Sequence, residues 1–134
     1  MKKYIPIIAR ILLGFVFFAA GIAGLFNMIP VPENLPADLV TFNQGLMSAR
    51  YFMPLLKGTE AVCGLLLLSG YFVPLALVVL APIVIHIFFV HLFLEPSGVP
   101  LSIVLGVLVV YLSFFVPIYS DRIKALFKIR WLAD

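Results

Sequence analysis

Apolar residues form four long runs along this chain, separated by short segments rich in polar and turn-forming residues. The runs cover residues 4–26, 54–70, 74–94 and 100–117, close to the length of about 20 residues that a helix needs to cross a bilayer. Pro54 opens the second run and Gly70 closes it, as expected of a helix start and stop. The pattern predicts one all-α domain over residues 1–134, a membrane-embedded four-helix bundle.

The segments between the runs complete this prediction. Residues 71–73 leave room only for a tight turn, so the second and third helices should form an antiparallel hairpin. The loop 27–52 carries three prolines followed by an amphipathic stretch, whose second half could lie as a short helix at the membrane surface. Two lysines ahead of the first run also fit a secretory signal, but the run exceeds the usual 7 to 15 residues and carries Arg10, which favours a membrane anchor.

Composition decides between a soluble and a membrane protein. Of the 134 residues, 64% are hydrophobic and 11% are charged, and the mean hydropathy is +1.22. A soluble domain has about 25% charged residues and a smaller apolar share. The sequence therefore excludes an ordinary soluble domain, and the four helices leave no room for a separate catalytic domain.

Charge predicts how the bundle is oriented. Both ends are basic, and four spans place them on one side, so the positive-inside rule predicts a cytoplasmic N-terminus and C-terminus in a bacterial inner membrane. Loop 27–52 then lies outside. The basic tail, residues 119–134, also carries Phe127 and Trp131, which favours membrane lipid over nucleic acid as its partner. The alternative is that the charge only sets the topology and the tail is solvated. Its cations are Arg122, Lys124, Lys128 and Arg130.

Four ionisable residues lie inside the second and third runs, where charges are costly and by default indicate function: Lys57, Glu60, His86 and His91. With a helix start at Pro54, Lys57 and Glu60 lie roughly 5 to 9 Å below the outer surface, and His86 lies about 12 Å below it. Adjacent antiparallel helices would bring Glu60 and His86 to similar depths. We therefore expect these two side chains to meet.

Helical spacing adds two pairs, because residues three or four apart share a face. Lys57 lies three residues before Glu60, and His91 lies four residues before Glu95. With His86, these residues could form a proton relay or hold a polar ligand head such as a quinone ring, which makes quinone the candidate cofactor. The alternative is structural: Lys57 extends to the surface or neutralises Glu60, and His91 pairs with Glu95 at a helix end.

Other chemistry finds less support. His86 and His91 lie about 140° apart around a helix, so they cannot face one ion, and no metal site is expected. Cys63 is the only cysteine, which excludes an intramolecular disulfide and a C-x-x-C motif. Arg10 is expected to be a structural anchor that extends to the membrane surface or reaches Asp121 or the fourth helix.

Small residues on the first two helices favour close packing between membrane helices. They are Gly14, Ala20, Gly21 and Gly24 on the first helix, and Gly58 and Gly64 on the second.

The order of these segments resembles the DoxX family of small four-helix membrane proteins along nearly the whole chain. The resemblance rests on RILLGFVFFAAG at residues 10–21, PLLKGTE at 54–60, GLLLLSG at 64–70 and HLFLEP at 91–96. It implies a compact four-helix bundle, with the family's recurrent arginine and acidic residue at Arg10 and Glu60. It also implies a link to quinone reduction and thiol redox systems, although one cysteine argues against independent thiol chemistry.

We therefore expect a membrane component of a quinone-linked or thiol-related oxidoreductase system, with a partner oxidoreductase subunit or a homo-oligomer. Whether the chain is itself an enzyme stays open. One alternative is a non-enzymatic assembly factor or partner subunit whose polar residues satisfy one another. A small transporter is a weaker alternative, because no internal repeat is present and only Pro82 suggests a broken helix.

Overall fold

A computed structural model describes residues 3–26, 28 and 34–128, and no strand occurs within these ranges. A 3₁₀ turn, Pro96–Gly98, precedes the fifth helix, and a π-helical turn, Tyr111–Phe115, follows it. The α-helices are α1 Ile5–Leu25, α2 Ala37–Ser48, α3 Phe52–Ser69, α4 Val73–Phe93, α5 Val99–Val110 and α6 Pro117–Ala125.

Four helical segments are long and apolar enough to cross a membrane: α1, α3, α4 and the segment Pro96–Phe115, which contains α5 and its flanking turns. Their mean hydropathies are 2.3, 1.4, 2.7 and 2.3. The value for α3 is lowest because this helix carries Lys57 and Glu60. The predicted all-α, membrane-embedded bundle with four spanning helices is confirmed.

Turn chemistry sets the α3–α4 connection. Gly70 ends α3 in the left-handed conformation, with φ of 84°, and Phe72 precedes α4 with φ of 54°. Glycine adopts positive φ without steric cost, whereas a bulky residue there is strained. The two positions reverse the chain within three residues, which produces the predicted hairpin.

The last spanning helix differs from its prediction. A continuous helix was expected as far as Pro117, but α5 passes into the π-helical turn, and Val116 is extended with φ of −105° and ψ of 107°. Proline has no N–H to donate and disfavours the helical conformation of the residue before it. Pro117 instead begins α6, whose Ile123 is buried, so the tail starts as a packed helix. Arg130 and Trp131 lie outside the described residues.

The helices pack in antiparallel order around an apolar core. The α1–α3 pair is the most extensive contact, followed by α4–α5 and α3–α4. Residues that point inward include Leu13, Phe17, Leu67, Leu80 and Leu112, each at most 1% exposed. Large apolar side chains also cover much of the outer surface, which suits a bundle whose solvent is lipid.

Two ends of the bundle matter for function. At the terminal end, where α1 begins, Arg10 lies against Gly70 of the α3–α4 turn, and α6 lines a cavity together with Leu77 of α4. At the α2 end, α2 lies beside α3, and its Phe42 ring packs against His86 of α4. The helix predicted in the second half of loop 27–52 is present as α2.

Candidate functional site

Glycines bring α1 and α3 into backbone contact. A Cβ added at Gly64 would lie 2.7 Å from the Gly14 carbonyl oxygen, and one added at Gly21 would lie 2.7 Å from the Lys57 carbonyl oxygen. Both separations are shorter than ordinary van der Waals contact, so no side chain fits at these positions. Gly58 is different, because a Cβ there meets nothing within 4 Å. The packing role predicted for Gly58 is wrong, since this residue faces away from α1.

An ion pair between Lys57 and Glu60 lies beside this close contact. Lys57 Nζ donates a hydrogen bond to Glu60 Oε2 at 3.2 Å. The Glu60 side chain is 4% exposed, and that of Lys57 is 24% exposed. The aliphatic part of Lys57 covers Gly24 of α1, where an added Cβ would lie 2.7 Å from Lys57 Cγ. Because Gly24 of α1 has no side chain, the aliphatic part of Lys57 fits against α1.

The ion pair lies deeper along α3 than predicted. Because α3 begins at Phe52 rather than Pro54, Glu60 is about 12 Å along the helix from its start. This places the carboxylate near the middle of an 18-residue helix. A carboxylate at this depth needs a partner, and Lys57 supplies it.

His86 does not join this pair. Its side chain is exposed on the outside of the bundle, with the ring centroid 5.6 Å from that of Phe42 in α2. Glu60 points into the bundle, and no hydrogen bond or ion pair joins the two residues. The expected contact between Glu60 and His86 is therefore absent, because their helix faces differ although their depths are similar.

His91 and Glu95 form a second group at the α2 end. His91 Nδ1 lies 3.9 Å from Glu95 Oε2, and Ser97 Oγ donates to Glu95 Oε1 at 3.4 Å. Nδ1 is buried and has no hydrogen-bond partner, while the ring packs against Gly98. The predicted helix-end pair is present, but at a separation longer than a hydrogen bond.

A small polar cavity of about 250 Å³ opens at the α2 end, where the end of α1 meets the start of α3. Gly24, against which the Lys57 stem packs, lies in its wall, so the stem adjoins the cavity, although neither Lys57 nor Glu60 lines it. The other lining residues are Leu25, Met47, Ala49, Arg50, Met53 and Pro54.

The DoxX family model matches residues 5–92. The chain belongs to the DoxX family. The match runs from the start of α1 almost to the end of α4 and contains Arg10, Lys57, Glu60, His86 and His91, while Glu95 lies beyond it. No curated protein and no solved structure matches the chain.

Within this DoxX protein, the five predicted site residues thus separate into three places: the Lys57–Glu60 pair, the His91–Glu95 pair, and His86 beside α2. Sequence reasoning missed Arg50, which lines the polar cavity, and Gly98, which seats the His91 ring. Arg50 lies in the connection between α2 and α3, and no hydrophobic periodicity in the sequence indicates that it lies near the end of α1. The sequence Pro-Ser-Gly indicates a turn at residues 96–98, but it does not indicate that Gly98 contacts the His91 ring.

Proposed function

We propose that this DoxX protein is a membrane component of a quinone-linked oxidoreductase system, and that Lys57 holds the polar head of the quinone. The supporting observation is the Lys57–Glu60 ion pair, in which the Glu60 side chain is buried while the Lys57 side chain stays partly exposed. Ionisable groups inside a membrane span are expensive and default to functional roles. The cavity beside Gly24 adjoins the Lys57 stem and supplies space for a small polar ring.

The chemistry of the pair suits a neutral ring that carries carbonyl oxygens. A lysine ammonium has three donors, and one of them is occupied by Glu60. The remaining donors can bond a quinone oxygen, while the Glu60 carboxylate holds the lysine in position. Arg50 in the cavity wall provides a second cation. With a single cysteine in the chain, the expected contribution is ligand binding rather than thiol exchange, and the electrons pass through a partner protein.

The same pair also favours a second candidate function, a non-enzymatic partner or assembly subunit. Lys57 and Glu60 satisfy each other's hydrogen-bonding needs, so no ligand is required to explain the charges. In that case the surface that binds a partner protein carries the function. A measurement of bound quinone separates the two candidates.

The test is quinone quantification by mass spectrometry on protein purified in mild detergent, comparing wild type with Lys57→Met. Lys124→Met is the matched control, because Lys124 is exposed on α6 at the opposite end of the bundle. We expect wild type and Lys124→Met to retain quinone. Lys57→Met should retain about tenfold less quinone than wild type, because one charge-assisted hydrogen bond is removed. Absence of quinone from wild type, or equal retention in all three proteins, would refute the proposal. A stoichiometric co-purifying protein would then support the partner subunit.

We further propose that the terminal end faces the cytoplasm of a bacterial cell. The described terminal end carries the exposed cations Lys3, Arg122 and Lys124 against the single acid Asp121, which fits the positive-inside rule. A reporter enzyme that is active only outside the cytoplasm, fused after residue 134, should be inactive. The same reporter inserted in the loop before α2 should be active, and the reverse pattern would contradict this orientation.

A further inference from the structure

Arg10 is an inward-lying cation without a partner in the described part of the chain. It lies about 7.5 Å along α1 from the start of the helix, and its guanidinium group packs against Gly70, where any side chain would collide with Nη1. Its Nε is buried without a hydrogen-bond acceptor. The expected contact with Asp121 is absent, since neither a hydrogen bond nor an ion pair joins these two described residues.

The surroundings of Arg10 have the composition of a membrane–water interface. Tyr4, Tyr71 and Phe72 lie at the same end of the bundle and are 54%, 71% and 68% exposed. Exposed aromatic rings at the ends of spanning helices are typical of the headgroup level. Arg10 therefore lies just inside the layer that contains lipid phosphate groups.

We propose that Arg10 and the α3–α4 turn form a binding site for the phosphate group of an anionic membrane phospholipid. A guanidinium group binds a phosphate through two parallel hydrogen bonds, and the donors of Arg10 have no competing acceptor among the described residues. Because Gly70 has no side chain, the guanidinium group can lie against the α3–α4 turn. The exposed cations Lys3 and Lys124 at the same end attract anionic lipid to the surface. The site is at the opposite end of the bundle from Lys57 and is independent of the quinone proposal.

A purely structural role for Arg10 makes a different prediction. The C-terminus of α3 carries a partial negative charge, and a nearby cation stabilises it whether or not lipid is present. Replacement of Arg10 would then lower the stability of the protein equally with and without lipid. A phospholipid site requires that the effect depends on the lipid.

The test measures phosphatidylglycerol retained by the full chain, using native mass spectrometry and lipid-dependent thermal unfolding in a neutral detergent. The variants are Arg10→Gln, Arg10→Lys and Gly70→Asn. Arg122→Gln is the matched control, because Arg122 is an exposed cation at the same end. Asparagine tolerates positive φ, so Gly70→Asn displaces the Arg10 guanidinium group from the turn without removing its charge from the protein.

We expect Arg10→Gln to weaken phosphatidylglycerol binding about tenfold, since the charge-assisted hydrogen bonds are lost. Arg10→Lys and Gly70→Asn should show smaller losses, and Arg122→Gln should remain within about twofold of wild type. Three results would overturn the proposal: unchanged lipid binding in Arg10→Gln and Gly70→Asn, an equal loss in Arg122→Gln, or displacement of the lipid by inorganic phosphate at matched concentration.

Discussion

Removal of Lys57 should destabilise the protein more than removal of its partner Glu60. In Lys57→Met, a carboxylate that is 4% exposed loses the only ion-pair partner it has among the described residues. Breaking a buried pair in this way costs about 3–5 kcal/mol. In Glu60→Gln, the lysine is 24% exposed and can move toward the surface, so the expected loss is about 1–2 kcal/mol.

The free energy of unfolding can be measured by denaturation with sodium dodecyl sulfate in mixed micelles. The double variant Lys57→Met/Glu60→Gln contains no buried charge at this site, so it should unfold like Glu60→Gln alone. The coupling in the double-mutant cycle then equals the loss in Lys57→Met, about 3–5 kcal/mol. Lys124→Met controls for loss of a surface charge and should stay within about 0.5 kcal/mol of wild type. A coupling below about 0.5 kcal/mol, or a larger loss in Glu60→Gln than in Lys57→Met, would refute the reasoning.

Three further predictions concern packing. Gly64→Ala should lower the free energy of unfolding by about 1–3 kcal/mol in the same assay, because the added Cβ collides with α1. Gly58→Ala on the open face should instead stabilise α3 by up to about 1 kcal/mol. Equal effects of the two substitutions would contradict the assigned faces. Cys63, 4% exposed, should react with a maleimide about a hundredfold more slowly than in unfolded protein, and rapid labelling would show an open core. Leu39→Ala should speed hydrogen exchange of α2, since Leu39 is the one buried residue of that helix, while exchange in α4 should stay unchanged.

The spanning helices were predictable because membrane insertion depends on length and apolar content, and both properties are local. The predicted starts of α1 and α4 lie within one residue of the observed ones, whereas α3 begins two residues earlier than Pro54. Proline is tolerated throughout the first turn of a helix, so Pro54 marks this start only approximately. The break at Val116 was also signalled by Pro117, although the π-helical turn before it depends on packing against α6.

The site was predictable only where both partners lie on one helix. Lys57 with Glu60, and His91 with Glu95, follow from helical spacing and are neighbours in the structure. To predict a contact between Glu60 and His86, one must know which face of each helix points into the bundle. An apolar sequence gives little information on this orientation, since lipid-facing and helix-facing residues look alike. The hydrophobic pattern of α4 is nearly uniform around its axis, so nothing in it indicated that His86 faces outward.

The two proposed sites depend on the same structural feature, the glycine-mediated contact between α1 and α3. Gly24 of α1 accommodates Lys57 of α3, and Gly70 at the end of α3 accommodates Arg10 of α1. At both places a long cationic side chain from one helix occupies the space left by a glycine on the other. Larger side chains at Gly24 and Gly70 would displace Lys57 and Arg10 from these positions. The α1–α3 pair therefore carries a cation near each end, whereas the core of α4 and α5 is almost entirely apolar, with Ser102 and Ser113 as its buried polar residues. If the quinone and phospholipid proposals both hold, α1 and α3 supply the chemistry of the protein, and α4 and α5 supply its support.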